Sequence, residues 1–131
     1  IFEDKGTGNV IGYFSLANDR VSLTDFNNKT EFNRFRRTRF VNEKRIKSYP
    51  AVKICRLGID NSLRGKGIGS MLLDFIKYFF IENNKTGCRF LTVDAYNNAI
   101  RFYRNNNFKH LKEQEEDKIT SSLYFDLNDI Y

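Results

Sequence analysis

Three glycines at alternate positions, Gly65, Gly67 and Gly69, stand where a strand-like run ending at Ile59 gives way to a long helical run. That junction constrains the chain more than any other feature. Glycines at the entry to a helix remove side chains, so a ligand can approach the backbone closely. The first N–H groups of a helix have no partner within it, and the helix dipole adds partial positive charge at the same end. Together these make an anion site, best suited to a phosphate or pyrophosphate, and Arg64 and Lys66 add side-chain charge. The alternative is a glycine-rich turn that only lets the helix pack tightly on the strand. Spacing excludes two phosphate loops. A Walker loop needs glycine where Asp60 stands and Ser or Thr where Gly67 stands. A dinucleotide-binding fingerprint fails because its third glycine falls one residue early.

Periodicity places the elements around this junction. Ile68, Met71, Leu72, Phe75, Ile76 and Phe79 recur at helical spacing and predict one apolar face of a helix that starts at Gly67. Upstream, Ile1 to Lys5 and Val10 to Ala17 read as strands joined by the turn Gly6-Thr7-Gly8-Asn9. From Asp25 to Ser48 the sequence is polar and basic, with Phe32, Phe35 and Phe40 marking a short helix and then a loop, after which Pro50 punctuates the chain. Ala51 to Ile59 is a further strand whose alternation slips between Ile54 and Leu57, as a β-bulge would leave it. Downstream come a strand at Arg89 to Ala95, a short helix at Asn97 to Asn105, and a closing strand pair at Phe108 to Leu111 and Ile119 to Leu127. This order predicts an α/β or α+β domain in which helices cover a sheet, one domain over residues 1–131. Ile1 already lies in strand-like sequence, so a further N-terminal piece is expected to precede it.

A hydrophobic fraction of 40%, with 13 Phe, 7 Tyr and no Trp, is enough for a packed core and argues against disorder. The longest apolar stretch is too short to cross a bilayer, and no leader pattern precedes it. Cys55 and Cys88 are isolated thiols, read as buried, reduced core residues of a cytoplasmic protein. With those two and one histidine, His110, no metal site is expected. The net charge of +6 is concentrated. Arg34, Arg36, Arg37, Arg39, Lys44, Arg45 and Lys47 are opposed only by Glu43, an excess equal to that of the whole chain. Such a patch fits a polyanionic partner, nucleic acid first, or else a solvated basic face.

The motif that remains after the exclusions, Arg64-x-x-Gly67-x-Gly69, resembles the pyrophosphate signature of the GNAT acetyltransferases. Ala99-Ile100-Arg101-Phe102-Tyr103, running on to Asn107-Phe108, is similar to the family's second hallmark, with Asn107 where glycine is usual. The resemblance runs in order and spacing from Tyr49 to Phe108. Gly12 to Leu16, Tyr49 to Val52, Arg56 to Asp60 and Val93-Asp94-Ala95 further resemble the toxin-type branch, whose members acetylate the amino group of aminoacyl-tRNA.

The resemblance implies a mixed, mainly antiparallel sheet flanked by helices, lacking here its first strand and helices. It implies acetyl-CoA as cofactor, with the pyrophosphate on Arg64, Gly65, Lys66, Gly67, Ile68, Gly69 and Ser70. The pantetheine arm would lie along Leu57, Gly58 and Ile59, where a bulge leaves N–H groups free for the carbonyl. Tyr103 is the expected proton donor to the departing thiolate, or otherwise a core residue with an incidental hydroxyl, and Asn97 is expected to cap its helix and touch the cofactor. Asp60 and Asp94 are the candidates for a general base, while His110 is expected at the surface or in the core. Charged tRNA, a small antitoxin and a second copy are implied as partners, and the basic segment as the RNA-contacting patch. Two other readings stay open: acetylation of a small amine or protein amine, and a basic RNA-binding module without catalysis.

Overall fold

The computed structural model describes residues 1–22, 25–40, 47–82, 87–111 and 118–130. The elements are β1 (Phe2–Glu3), β2 (Val10–Ser22), α1 (Lys29–Arg39), β3 (Ser48–Ile59), α2 (Ile68–Glu82), β4 (Phe90–Tyr96), α3 (Ile100–Asn105), β5 (Lys109–His110) and β6 (Thr120–Asp126). The six strands form one sheet in the order β1-β2-β3-β4-β6-β5. Every neighbouring pair is antiparallel except β3 and β4. This is the mixed, mainly antiparallel sheet flanked by helices that the resemblance implied.

Two strands are longer than the sequence pattern predicted. β2 continues through the polar run Asn18-Asp19-Arg20 to Ser22, because each of these residues pairs across to β3. Pro50 lies inside β3, opposite Arg20, and does not break the strand. It is tolerated because the parallel ladder to β4 begins only at Ala51, and the Pro50 carbonyl still accepts from the Arg89 N–H at 3.1 Å.

The core is split by the sheet. On one side α2 and α3 cover Val52, Ile54, Leu91, Val93, Leu123 and Phe125. On the other, Phe32 and Phe35 of α1 pack on Val21, Tyr49, Ala51, Phe90 and Tyr124. The α1 helix is capped by Asn28, whose side chain accepts from the Glu31 N–H at 2.9 Å. It is tied to the sheet by Arg39, which donates to the Tyr124 hydroxyl at 2.6 Å and pairs with buried Asp126 at 3.4 Å.

The buried stripe of α2 differs from the predicted face. Leu72, Leu73, Ile76, Lys77 and Phe80 are buried, whereas Met71, Phe75 and Phe79 are exposed. The helix is apolar on most of its circumference, so spacing alone allows several faces. Phe75 instead joins an aromatic group with Phe2 and Phe14, at ring distances of 5.2 and 6.2 Å. No helix among the described residues is long and apolar enough to cross a membrane.

Candidate active site

The bulge expected between Ile54 and Leu57 is present. Ser15 pairs with Arg56 and Leu16 with Ile54, so Cys55 is left without a partner on β2. Cys55 is accordingly exposed and not a core residue as expected, while Cys88 is buried. The β3–β4 ladder ends at the same level, with Ile54 opposite Val93. Beyond it β3 runs on to Ile59 and β4 to Tyr96 without pairing to each other, and the two strands part. The backbone of Leu57, Gly58 and Ile59 thus presents hydrogen-bonding groups toward a gap that no strand among the described residues fills.

The chain then turns through a 3-10 segment at Asn61–Leu63, held by the Ser62 hydroxyl donating to the Asp60 carboxylate at 2.7 Å. Gly65 and Gly67 follow with φ of +79° and +76°, which only glycine adopts without strain, and a Cβ on either would project into open space. Gly69 serves a different purpose. A Cβ there would lie 3.0 Å from two ring atoms of Phe102, so this glycine lets the start of α2 meet α3. Two of the glycines therefore shape a turn that could seat an anion, and the third makes room for α3 where the alternative reading expected packing on the strand.

These pieces enclose a cleft of about 560 Å³. Of the predicted site residues, Leu57, Gly58, Ile59, Arg64, Gly65, Gly67, Ile68, Gly69, Ser70 and Tyr103 line it. Lys66 and Asn97 do not. The Asn97 side chain reaches the Lys118 carbonyl at 3.4 Å, and α3 starts later than expected, with Ala99 at its N-cap and no side-chain cap bond. Asn98, Ala99, Phe102 and Leu63 also line the cleft, although the motifs did not mark them as site residues. The small residue at Ala99 and the aromatic pair Phe102-Tyr103 were the available signals.

Tyr103 is buried, with its ring between Phe102 and Phe108 at 5.1 and 5.4 Å. Burial pushes its phenol above the usual value, so the hydroxyl stays protonated near neutral pH. The helix end that follows is shaped by Asn107 at φ +70°, the left-handed conformation expected where the family has glycine.

Neither base candidate reaches into the cleft lining. Asp60 holds the turn, and Asp94 lies on the other face of the sheet with Lys53 at 2.8 Å and Ser122 at 3.1 Å. His110 is half-buried in a separate recess with Arg104 and Phe108, and burial together with the Arg104 charge lowers its pKa. Of the basic segment, Arg34, Arg37 and Lys47 are exposed. Arg39 is engaged with Asp126 and Tyr124, and Arg36 bonds Asn33 and lies 4.4 Å from the Phe32 ring centre. Lys44 and Arg45 lie outside the described residues.

A strand that parts from its parallel neighbour at a bulge, followed by a glycine turn into a helix, is the architecture of a GNAT acetyltransferase. A family model for the acetyltransferase (GNAT) domain matches residues 3–110, and the chain belongs to that family. No curated protein sequence matches it. Among solved structures, one of a bacterial toxin is similar over 98% of this chain and 66% of its own, with TM-score 0.73 and 19% identity. AtaT complexed with acetyl-methionyl-tRNAfMet is similar over 94% and 66%, with TM-score 0.68 and 22% identity. A mutant AtaT toxin bound to the C-terminus of the antitoxin AtaR and acetyl-CoA is similar over 92% and 61%, with TM-score 0.62 and 22% identity. The chain therefore spans less than two thirds of the length of these structures.

Proposed function

We propose that the protein transfers an acetyl group from acetyl-CoA directly to a primary amine, the α-amino group of an aminoacyl-tRNA. The observation that carries the reading is the convergence, in one cleft, of the glycine turn at the start of α2, the free strand end of β3 and the Tyr103 side chain. The turn fits a pyrophosphate: two left-handed glycines leave open space where side chains would stand, at a helix end that presents N–H groups. The strand end fits an amide-bearing arm, which can add to β3 as a neighbouring strand would. When bound, acetyl-CoA supplies an activated thioester carbonyl. The backbone N–H groups past the bulge stabilise negative charge as it develops on that carbonyl oxygen. The Tyr103 hydroxyl would give its proton to the departing sulfur, and the proton shed by the amine as the amide forms would restore the phenol.

The toxin-like acceptor is supported by the fold shared with AtaT, whose structure carries acetyl-methionyl-tRNAfMet, and by the exposed Arg34, Arg37 and Lys47. Pairing with a small antitoxin and self-association belong to the same proposal, as does action in the cytoplasm, where charged tRNA resides. One observation favours a small or protein amine instead: Arg39 is engaged within the fold, which thins the basic patch.

Transfer of labelled acetyl groups to charged tRNA tests the reading, with uncharged tRNA and Tyr103→Phe as controls. Label on charged tRNA alone, reduced about 100-fold in kcat by Tyr103→Phe, is the expected result. Binding of acetyl-CoA without label on charged tRNA would redirect the acceptor to small and protein amines, and no binding of acetyl-CoA would sink the proposal.

A further inference from the structure

Tyr103 is carried by α3, a helix of six residues with no side-chain bond at its N-cap, Ala99. A helix this short does not hold itself in place, so the position of the phenol is set by what binds α3 from outside. Its C-terminal end is bound from several sides. The Asn106 and Phe108 N–H groups donate to the Tyr103 carbonyl at 3.0 and 3.1 Å, and the Asn106 side-chain amide donates to the Phe102 carbonyl at 2.9 Å. Asn106 therefore ties down both aromatic residues that α3 brings to the cleft.

Asn106 is held in turn by Lys77 of α2, whose ammonium donates to the Asn106 carbonyl at 2.7 Å. The same nitrogen lies 4.2 Å from the ring centre of Phe125 and 5.7 Å from that of Phe108. Phe108 is in edge contact with the Tyr103 ring at 5.4 Å. Lys77 thus meets the supports of Tyr103 twice, once through the backbone at the end of α3 and once through a ring.

Lys77 is 5% exposed, in a stripe otherwise made of Leu72, Leu73, Ile76 and Phe80. An ammonium is costly there, and burial lowers its pKa despite the opposing Asp74 charge. A methionine or leucine would fill the stripe without that cost. Lys77 lines a polar recess with Asp74, Lys109 and Asp129 that shares no residue with the cleft. Its effect on transfer therefore runs through Tyr103 and not through contact with a substrate.

We infer that Lys77 is a positioning residue for acetyl transfer: by fixing the C-terminal end of α3 from α2, it aims the Tyr103 hydroxyl at the departing sulfur. The inference rests on the acetyl-transfer reading and on the role proposed there for Tyr103. It holds for any amine acceptor, because it concerns the leaving group.

The test is a double-mutant cycle of Lys77→Met and Tyr103→Phe, with charged tRNA and the methyl ester of an amino acid as acceptors. The readout is the rate of acetyl transfer in a single turnover, per acetyl-CoA site counted by calorimetric titration, so that unfolded protein and product release drop out. Lys77→Met alone is expected to lower that rate about ten-fold, as for a shift of roughly half an ångström where about 1 Å costs about 100-fold. Its affinity for acetyl-CoA should stay within about two-fold of wild type, since the glycine turn is untouched. In the Tyr103→Phe background the same substitution should change the rate less than about two-fold, because the hydroxyl it aims is gone. Lys77→Gln, too short to reach the Asn106 carbonyl but polar toward the recess, is expected to behave alike and carries the test if Lys77→Met does not fold. Equal fold losses in the two Tyr103 backgrounds, or a wild-type rate in the Lys77 variants, overturn this inference alone. Tyr103→Phe at the wild-type rate overturns the role of the phenol and this inference with it. Wild-type protein that acetylates neither acceptor overturns the acetyl-transfer reading and everything that rests on it.

Discussion

Replacing Gly67 by alanine separates what the glycine turn does for the fold from what it does for a ligand. Gly67 has φ +76°, and no atom lies within 4 Å of the position an added methyl would take, so the new side chain meets no clash. The backbone is strained by roughly 1–2 kcal/mol, because a Cβ disfavours the left-handed region. Restricting the unfolded chain returns about 0.4–1 kcal/mol. The net loss is about 1 kcal/mol, a fall in Tm of roughly 3–5 °C for a chain of 131 residues. Gly87 is a matched control, with φ +67°, open space around its methyl position and a place ahead of β4 outside the cleft lining. Gly87→Ala should show the same thermal shift. The two variants must differ in ligand affinity. In Gly67→Ala the methyl stands where a phosphate oxygen would meet the backbone N–H groups. Losing one such charge-assisted bond, about 1.5–3 kcal/mol, weakens acetyl-CoA binding roughly 10- to 150-fold. Calorimetric titration of both variants beside thermal melts gives both quantities. Equal affinities in the two variants, at equal Tm, would refute the assignment of the turn as the pyrophosphate site.

Asp126 is 2% exposed and takes Arg89 through two bonds of 2.7 and 3.1 Å, with Arg39 at 3.4 Å. Asp126→Asn should cost about 2–3 kcal/mol, toward the low end for a broken buried pair because both guanidinium groups keep some solvent contact, and a urea midpoint shift worth less than about 1 kcal/mol would contradict it. Arg34→Ala with Arg37→Ala should reduce the salt dependence of transfer to charged tRNA by about two in the log–log slope, whereas an unchanged slope would remove them from the RNA path. Lys77 is buried in α2 with its ammonium donating to the Asn106 carbonyl at 2.7 Å, and burial lowers its pKa below 10.5 despite the opposing Asp74 charge. The unfolded chain then binds more protons between the lowered value and 10.5, so wild type should gain stability relative to Lys77→Met as pH rises through that window; a flat or falling difference in urea midpoints between about pH 7 and pH 10 would contradict that sign.

What was legible in the sequence is what backbone geometry demands of particular residues. Gly65, Gly67 and Asn107 all have positive φ, and each stands where the motif required a left-handed or side-chain-free position. The bulge was visible because a one-residue insertion shifts the alternation of β3, and the register shows that shift at Cys55. Side-chain facing was harder to read. In α2, Leu72, Leu73, Phe75, Ile76, Phe79 and Phe80 offer more apolar positions than one stripe needs, and the stripe is chosen by Val52, Ile54, Leu91 and Phe125 across the interface. Lys77 entered the buried stripe because the Asn106 carbonyl and the Phe125 ring, 4.2 Å from its nitrogen, were there to receive it. The polar stretch Asn18-Asp19-Arg20 hid the end of β2 for a similar reason: Asp19 is satisfied by Thr92, a residue 73 positions away that no local pattern contains. Arg39 belonged to the basic cluster by sequence and to the α1 anchor by structure, since Asp126 is even more remote along the chain.

Gly69 links the two halves of the proposed site. The glycine turn is fixed by local backbone conformation, whereas Tyr103 is delivered by α3, which enters only after β4. One contact between α2 and α3 that bears on their separation is Gly69 against the Phe102 ring, where a Cβ would stand at 3.0 Å. Phe102 is the immediate neighbour of Tyr103 on a helix of six residues, and both rings are in edge contact at 5.1 Å. A displacement of Phe102 by a few tenths of an ångström is therefore passed to the phenol through both backbone and ring. On the far side, the Lys77 ammonium holds the Asn106 carbonyl while the Asn106 and Phe108 N–H groups bond the Tyr103 carbonyl at 3.0 and 3.1 Å. The short helix bearing Tyr103 is thus held by α2 at Phe102 and at its C-cap Asn106, and the first turn of α2 carries the proposed anion site. Glycine turn and phenol are both fixed to α2, which is how a six-residue helix can hold the Tyr103 hydroxyl at a set distance from the glycine turn.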